Sequence, residues 1–421
     1  MTQEHTDKKE LDFVVIGGPS WSETVNAFSL HMVRELSTQH RVLYLYSDTS
    51  HSALRALVRP AQPAERRLAV STALGRLKAI EVQPRLWLAP LRGVTALLPR
   101  TYPEPFRQIS ASVLSGFLKS TCRRIGFDNP ILWFYWYAHP EILERVPHVA
   151  SVYDCIDEHG DYACNRRLAG LNAATYKHET RLMDAVDQTF VTSSLLLASK
   201  QSPQRRLALV PCGIDLAAVK RALGDSSRPQ SLTALTHPIV GYVGDSSRVD
   251  WPLLRELAIR NDDWTFLFVG GATWPSGEDL PKNVQVYGPK PYHEILRYIR
   301  EFDVGIVPFV LNDFTRACMP LKVLDYLAVG KSVIASQLPP LMTLEQDVPG
   351  LVTVPNEVSA WERALQSAIR HGDAGEDFPI SPSQLSLHST AHRAHKALAQ
   401  VRECMAEQRN GSAAVESRHC V

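Results

Sequence analysis

Met319-Pro320-Leu321-Lys322-Val323-Leu324-Asp325-Tyr326-Leu327-Ala328-Val329-Gly330-Lys331-Ser332-Val333-Ile334-Ala335-Ser336 reads as a helix between a proline and a glycine, running directly into a buried strand. Proline suits the first turn of a helix and glycine its C-cap. Lys322 and Asp325 stand three residues apart, on one helical face near the N-terminus. There the free backbone N–H groups and the helix dipole attract phosphate. A cation and an acid so placed can hold a diphosphate and a ribose hydroxyl. Spacing alone fits a capped amphipathic helix with solvated Lys and Asp at least as well.

Strands and helices alternate on both sides of this segment. From residue 238, apolar runs at 239–243, 265–269, 284–287, 304–308 and 332–336 read as strands, with helices near 251–259, 292–301 and 321–329. Gly244, Gly270-Gly271 and Gly288 follow the first three of these strands. An earlier array has strands at 11–16, 41–46, 131–136, 149–153 and 188–191, its first turn being Gly17-Gly18-Pro19. Two consecutive βα arrays predict an α/β protein of two Rossmann-like domains facing a cleft, where ligands meet the carboxyl ends of the strands. A stretch rich in Gly, Asp, Ser and Pro at 222–237 reads as the linker. The expected divisions are 1–225, 226–382, a C-terminal helix at 383–407 and a frayed tail at 408–421.

Composition excludes several classes. Lys plus Arg number 45 and Asp plus Glu 44, so there is no global field to draw nucleic acid. The seven cysteines are scattered and form no C-x-x-C pair, which argues against a disulfide framework or a zinc site and for a reducing cytoplasm. H-E-x-x-H is absent, and His388, His392 and His395 read as a surface stripe, so no metal is expected. No apolar run approaches the ~18 residues that span a bilayer.

The opening segment resembles the signature of the family 4 and related twin-Rossmann (GT-B) glycosyltransferases, the glycosyl transferases group 1 and their relatives, which often carry S-P-L-K-x-x-E-Y-L-A-x-G-K-P-V. The resemblance also covers Tyr153-Asp154-Cys155-Ile156-Asp157-Glu158, Val191-Thr192-Ser193-Ser194, Pro211-Cys212-Gly213-Ile214-Asp215, Gly241-Tyr242-Val243-Gly244 and Phe302-Asp303-Val304-Gly305-Ile306-Val307-Pro308, in family order. It implies a GT-B fold, with the C-terminal helix crossing back to the first domain. The implied activity is transfer of a sugar from a nucleotide-diphosphate sugar, by family habit UDP-linked, to a hydroxyl of a saccharide, lipid-linked or small-molecule acceptor, without a metal or other cofactor.

The resemblance further implies donor contacts at Met319, Pro320, Leu321, Lys322 and Asp325, at Gly244 with Arg248 as second cation, and around the base at Tyr287 to Lys290. Gly17, Gly18 and Trp21 fall on the acceptor side. Many retaining members have a glutamate eight residues before the ribose-holding acid; Ala317 stands there, and Asp325 replaces the second glutamate. Inversion is therefore expected, with a general base taking the acceptor proton. Asp154, at the end of its strand, is the first candidate and Asp157 the second; one of the two can instead cap the next helix.

The stretch 51–100 carries Arg55, Arg59, Arg66, Arg67, Arg76, Lys78, Arg85, Arg92 and Arg100 against Glu65 and Glu81, interleaved with Leu and Trp87. It allows peripheral contact with an anionic membrane at the inner face, at ~1 kcal/mol per near-surface cation, or is a solvated variable region. Two other activities fit the architecture: a nucleotide-sugar 2-epimerase-like isomerase, and a non-catalytic nucleotide-sugar-binding subunit.

Overall fold

The structure is a computed structural model that describes residues 10–19, 21, 28–46, 78–91, 104–137, 139–158, 169–225, 227–271, 279–373 and 380–418. The first sheet contains β1 (Asp12–Ile16), β2 (Arg41–Tyr46), β3 (Ile80–Gln83), β4 (Leu86–Pro90), β5 (Ile131–Phe134), β6 (Ala150–Cys155), β7 (Gln188–Val191) and β8 (Leu207–Leu209). Its order is β3-β4-β2-β1-β5-β6-β7-β8, parallel throughout except for the edge pair β3–β4.

Successive side chains on a strand face opposite ways. Phe13, Val15, Tyr44, Trp133 and Val152 pack with α1 (Phe28–Ser37) on one face. Val14, Ile16, Leu43, Phe134 and Tyr153 pack on the other, under α2 (Glu104–Ile125), α3 (Ile142–Arg145), α4 (Ala169–Ala185) and α5 (Ser194–Lys200).

The second sheet contains β9 (Ile239–Val243), β10 (Thr265–Val269), β11 (Val284–Tyr287), β12 (Val304–Val307), β13 (Ser332–Ser336) and β14 (Leu351–Val354). It is all parallel in the order β11-β10-β9-β12-β13-β14, a Rossmann order with its switch point between β9 and β12. Strands buried on both faces read as continuous apolar runs, and Thr-Phe-Leu-Phe-Val of β10 is buried at every position.

The packing moves the expected boundary at 225–226. Helix α6 (Leu216–Gly224) buries Ala218, Val219 and Ala222 in the core of the second domain, so the chain leaves the first domain at Gly213. It returns at Ser389, which forms an isolated parallel bridge with Ile214 of the outgoing chain. The Ile214 N–H donates to the His388 carbonyl at 3.0 Å and the Thr390 N–H to the Ile214 carbonyl at 2.9 Å. A Cβ on Gly213 would lie 2.4 Å from the Ser389 backbone, so only glycine fits this crossing. The last helix (Thr390–Arg418) then buries Ala394, Ala397 and Val401 in the first domain, the crossing back that the resemblance implied. It runs well beyond residue 407, into the segment expected to be a tail.

Candidate functional site

At the cleft edge of the second sheet, β9 is followed by Gly244, whose φ is +110°, and β10 by Gly270, at +134°. A Cβ on Gly270 would meet the Gly244 carbonyl oxygen at 2.8 Å, and one on Gly244 would lie 3.1 Å from Lys322 Nζ. The two turns leave bare backbone at the carboxyl edge of the sheet, with Lys322 directly over it. Helix α7 (Leu321–Ala328), between β12 and β13, opens at Pro320 without a side-chain cap. Its first N–H groups are the unpaired donors of a helix start.

Lys322 is held by aromatic groups. Its ammonium donates to Tyr242 Oη at 2.6 Å and lies 3.9 Å from the Tyr242 ring centre and 5.2 Å from that of Phe309. Burial pushes its pKa down to about 7, the Arg248 guanidinium pushes the same way, and Asp245 and Asp325 oppose both. Arg248 stacks over Phe314 at 4.6 Å. The donor-site expectations at Gly244, Arg248, Met319, Pro320, Leu321 and Lys322 thus fall together at one switch point.

Asp325 is fully buried and accepts from Tyr292 Oη at 2.6 Å through Oδ1. Tyr287 and Lys290 point elsewhere. Tyr287 Oη donates to the Ser231 carbonyl at 2.9 Å, and Lys290 lies over the Tyr298 ring at 5.7 Å.

On the acceptor side, the tight turn at Gly17-Gly18 is required by its own domain. A Cβ on Gly17 would fall 2.2 Å from Trp136 Cβ, and one on Gly18 would fall 2.5 Å from Tyr44 Oη. Trp21 packs edge-on to Tyr44 and carries Arg34 over its ring at 4.9 Å. These contacts account for all three residues without an acceptor.

Asp154 does not suit the base role expected of it. Strand β6 extends two residues beyond Tyr153, so Asp154 lies inside the ladder, on the face shared with Val152. It is fully buried, accepts from Arg393 Nη2 at 2.5 Å and takes Trp133 Nε1 at 3.3 Å. Arg393, from the last helix, also donates to the Pro211 carbonyl at 2.9 Å and covers Phe28 at 4.3 Å. Both carboxylate oxygens are already engaged in a site closed to solvent, so neither is presented to an acceptor hydroxyl.

Asp157 is placed differently. It is half-buried, and its Oδ1 accepts from Cys318 Sγ, across the cleft, at 3.4 Å. Cys318 follows Ala317, where the family's usual first acid is missing. Ala317 itself packs into the first domain's core, and its carbonyl accepts from Ser193 Oγ at 2.9 Å. Asp157 therefore brings a carboxylate from the opposite domain to the neighbourhood of the missing one. Its loop is anchored next door: Lys200 bridges Glu158 at 2.5 Å and the fully buried Glu179 at 2.9 Å, and Tyr153 Oη donates to Glu179 at 2.8 Å.

Sequence reasoning missed Arg393, Glu179 and Lys200. Nothing in their spacing distinguishes them from surface charges, and only packing reveals them. Among the described residues no group of three or more His, Cys, Asp or Glu side chains is arranged to hold a metal, and no helix is long and apolar enough to cross a membrane. In the 51–100 stretch, Lys78, Arg85 and Trp87 are described, and Arg85 pairs with Glu10 at 2.9 Å; Arg55, Arg59, Arg66, Arg67, Arg76, Arg92 and Arg100 lie outside the described residues.

Residues 238–371 match the family described as Glycosyl transferases group 1. Over 108 residues the chain is 32% identical to TuaH of Bacillus subtilis (strain 168), a glycosyltransferase provisionally assigned to teichuronic acid biosynthesis. The alignment takes in 24% of this chain and 27% of that protein, so the chain spans about a quarter of the curated relative it matches. Among solved structures, sucrose-phosphate synthase from Thermosynechococcus elongatus superposes with a TM-score of 0.69 at 16% identity, over 94% of this chain and 100% of that one. The alpha,alpha-trehalose 6-phosphate synthase of Burkholderia multivorans gives 0.62 at 11% identity, over 95% and 99%. At these identities the likeness is one of fold. With two Rossmann-like domains, a shared cleft and a returning C-terminal helix, the chain has the GT-B fold, and its residues 238–371 are similar to the glycosyl transferases group 1 family.

Proposed function

We propose that the protein transfers a sugar from a nucleoside-diphosphate sugar, UDP-linked in the first instance, to an acceptor hydroxyl, with inversion at the anomeric carbon and without a metal. The observation that carries this reading is the meeting of Lys322, Arg248, the bare turn at Gly244 and the uncapped helix start at Pro320, opposite Asp157. The leaving diphosphate needs positive charge already in position, and the two side chains and the N–H groups supply it.

In the proposed step Asp157 takes the acceptor hydroxyl proton as the oxygen attacks the anomeric carbon. The bond from that carbon to the diphosphate oxygen breaks, and the nucleoside diphosphate leaves. Asp325, oriented by Tyr292, stands ready for a ribose hydroxyl. The cation-rich 51–100 stretch suits an acceptor presented at an anionic membrane on the cytoplasmic side, which forms part of the same proposal.

The test begins with thermal shifts against nucleoside diphosphates and their sugars, with and without chelator, because a ligand of the native state raises the melting point. A selective, chelator-insensitive shift identifies the donor. Transfer is then followed by NMR of the product anomer. Asp157→Asn is expected to reduce turnover by roughly 10²- to 10⁴-fold while leaving the donor shift intact. No shift with any donor sinks the proposal; a shift with turnover of the donor sugar but no acceptor requirement turns it toward an isomerase.

A further inference from the structure

His31 lies on the acceptor-domain helix α1, with its side chain 4% exposed. Neither ring nitrogen has a hydrogen-bond partner among the described residues. Its ring packs on Tyr292 of the other domain at a centroid distance of 5.1 Å, and Tyr292 Oη in turn donates to Asp325 Oδ1. These three side chains form a continuous path from the acceptor domain to the acid proposed to hold the ribose.

Packing alone does not explain a histidine here. A leucine or phenylalanine would cover Tyr292 without taking two polar atoms out of water, and dry unpaired polar groups cost free energy. Burial and the nearby Arg34 push the pKa of His31 down to about 4, against the pull of Asp215, so the ring is neutral near pH 7. A neutral imidazole offers one donor and one acceptor, the complement of a hydroxyl.

We propose that His31 is a donor-binding residue contributed by the acceptor domain, which hydrogen-bonds a ribose hydroxyl of the nucleoside diphosphate. The inference rests on the donor site proposed above and adds to it that the ribose is gripped from both domains. Nucleotide binding and domain apposition are then linked, because the His31 contact exists only while α1 rests on Tyr292.

The experiment is calorimetric titration of the full chain with the ribonucleoside diphosphate that shifts the wild-type protein, and with its 2′-deoxy and 3′-deoxy counterparts. His31→Leu is expected to weaken the ribonucleotide about tenfold and to leave one deoxy analogue bound as tightly as by the wild type, a ~1.4 kcal/mol coupling to a single hydroxyl. The melting point of the unliganded variant should hold or rise, since an apolar side chain replaces an unsatisfied one. If His31→Leu does not fold, His31→Gln, which keeps a donor and an acceptor, should retain the distinction between ribo and deoxy ligands, and its loss there overturns the proposal. Equal binding of all ligands by wild type and His31→Leu, or an equal loss for ribo and both deoxy forms, also overturns it. A wild-type protein that binds no nucleotide removes the donor site and this inference together.

Discussion

The two domains treat buried charge in opposite ways. In the first, the buried ions are matched with opposite charge: Asp154 with Arg393, Glu179 and Glu158 with Lys200, Glu141 with Arg107 at 2.8 Å and Arg181 at 3.3 Å. In the second, Lys322 and Arg248 face the cleft over the rings of Tyr242, Phe309 and Phe314. Aromatic faces steady a cation without neutralising it. Matched ions hold a loop or a helix in place. Cations set on rings, with Asp245 close to both and Asp325 close to Lys322, are held with no direct ion pair to Lys322 among the described residues, and a pKa near 7 records the cost of burial there.

The comparison breaks first, if it breaks, at Arg393. Arg393→Met leaves the buried Asp154 carboxylate without its countercharge, with Trp133 Nε1 still donating to it, and is expected to cost about 3–5 kcal/mol in urea unfolding. Combining it with Asp154→Leu should restore most of the loss. A cost below about 1 kcal/mol for the single variant would mean that the first domain's pairs do not hold it together.

Lys322→Met should behave in the opposite way, with stability unchanged or raised and affinity for the nucleoside diphosphate reduced roughly 10- to 100-fold. Binding by the wild type should fall as pH rises through about 7, because the free amine carries no charge. Lys322→Arg, charged at every accessible pH, should remove that break.

The smallest effect sharpens the contrast within histidines. Burial pushes His31 and His139 each down to about 4, with Arg34 acting on the first against Asp215, and Arg107 acting on the second. Below 6.5 the unfolded chain takes up protons that the folded one refuses, so stability falls with pH, by about 1 kcal/mol per histidine between pH 6.5 and 5.5. His31→Leu should remove one share of this slope and leave the other.

In the second domain five of the six described strands were legible, while β14 and the helices at Asp313–Ala317, Pro339–Glu345 and Val358–Asp373 were not. Strands expected at 239–243, 265–269 and 284–287 occur with those bounds, because each is a short, apolar run stopped by a glycine or a linker. The first was less so. Helix α2 escaped notice because Ser110, Ser115 and Thr121 lie on its buried face and dilute the apolar period. Strands β3 and β4 lie within the cation-rich stretch, where charge obscured them. At the site, Lys322 was readable from a helix start, whereas Asp154 misled: β6 runs two residues further than its apolar run, and its acid meets a partner 239 residues away. The domain boundary was drawn at 225–226 from the Gly, Asp, Ser and Pro of 222–237, whereas the buried face of α6 packs into the second core and sets it at Gly213.

That separation has a consequence for biosynthesis. A ribosome adding ~5–20 residues per second needs roughly 10–50 s to travel from Asp154 to Arg393. Throughout that interval the first domain, although made first, lacks the helix that covers one face of its sheet and the cation that balances its central acid. The first domain is therefore completed only after the second has been made, and a lesion in the helix Thr390–Arg418 will be felt in the domain made before it.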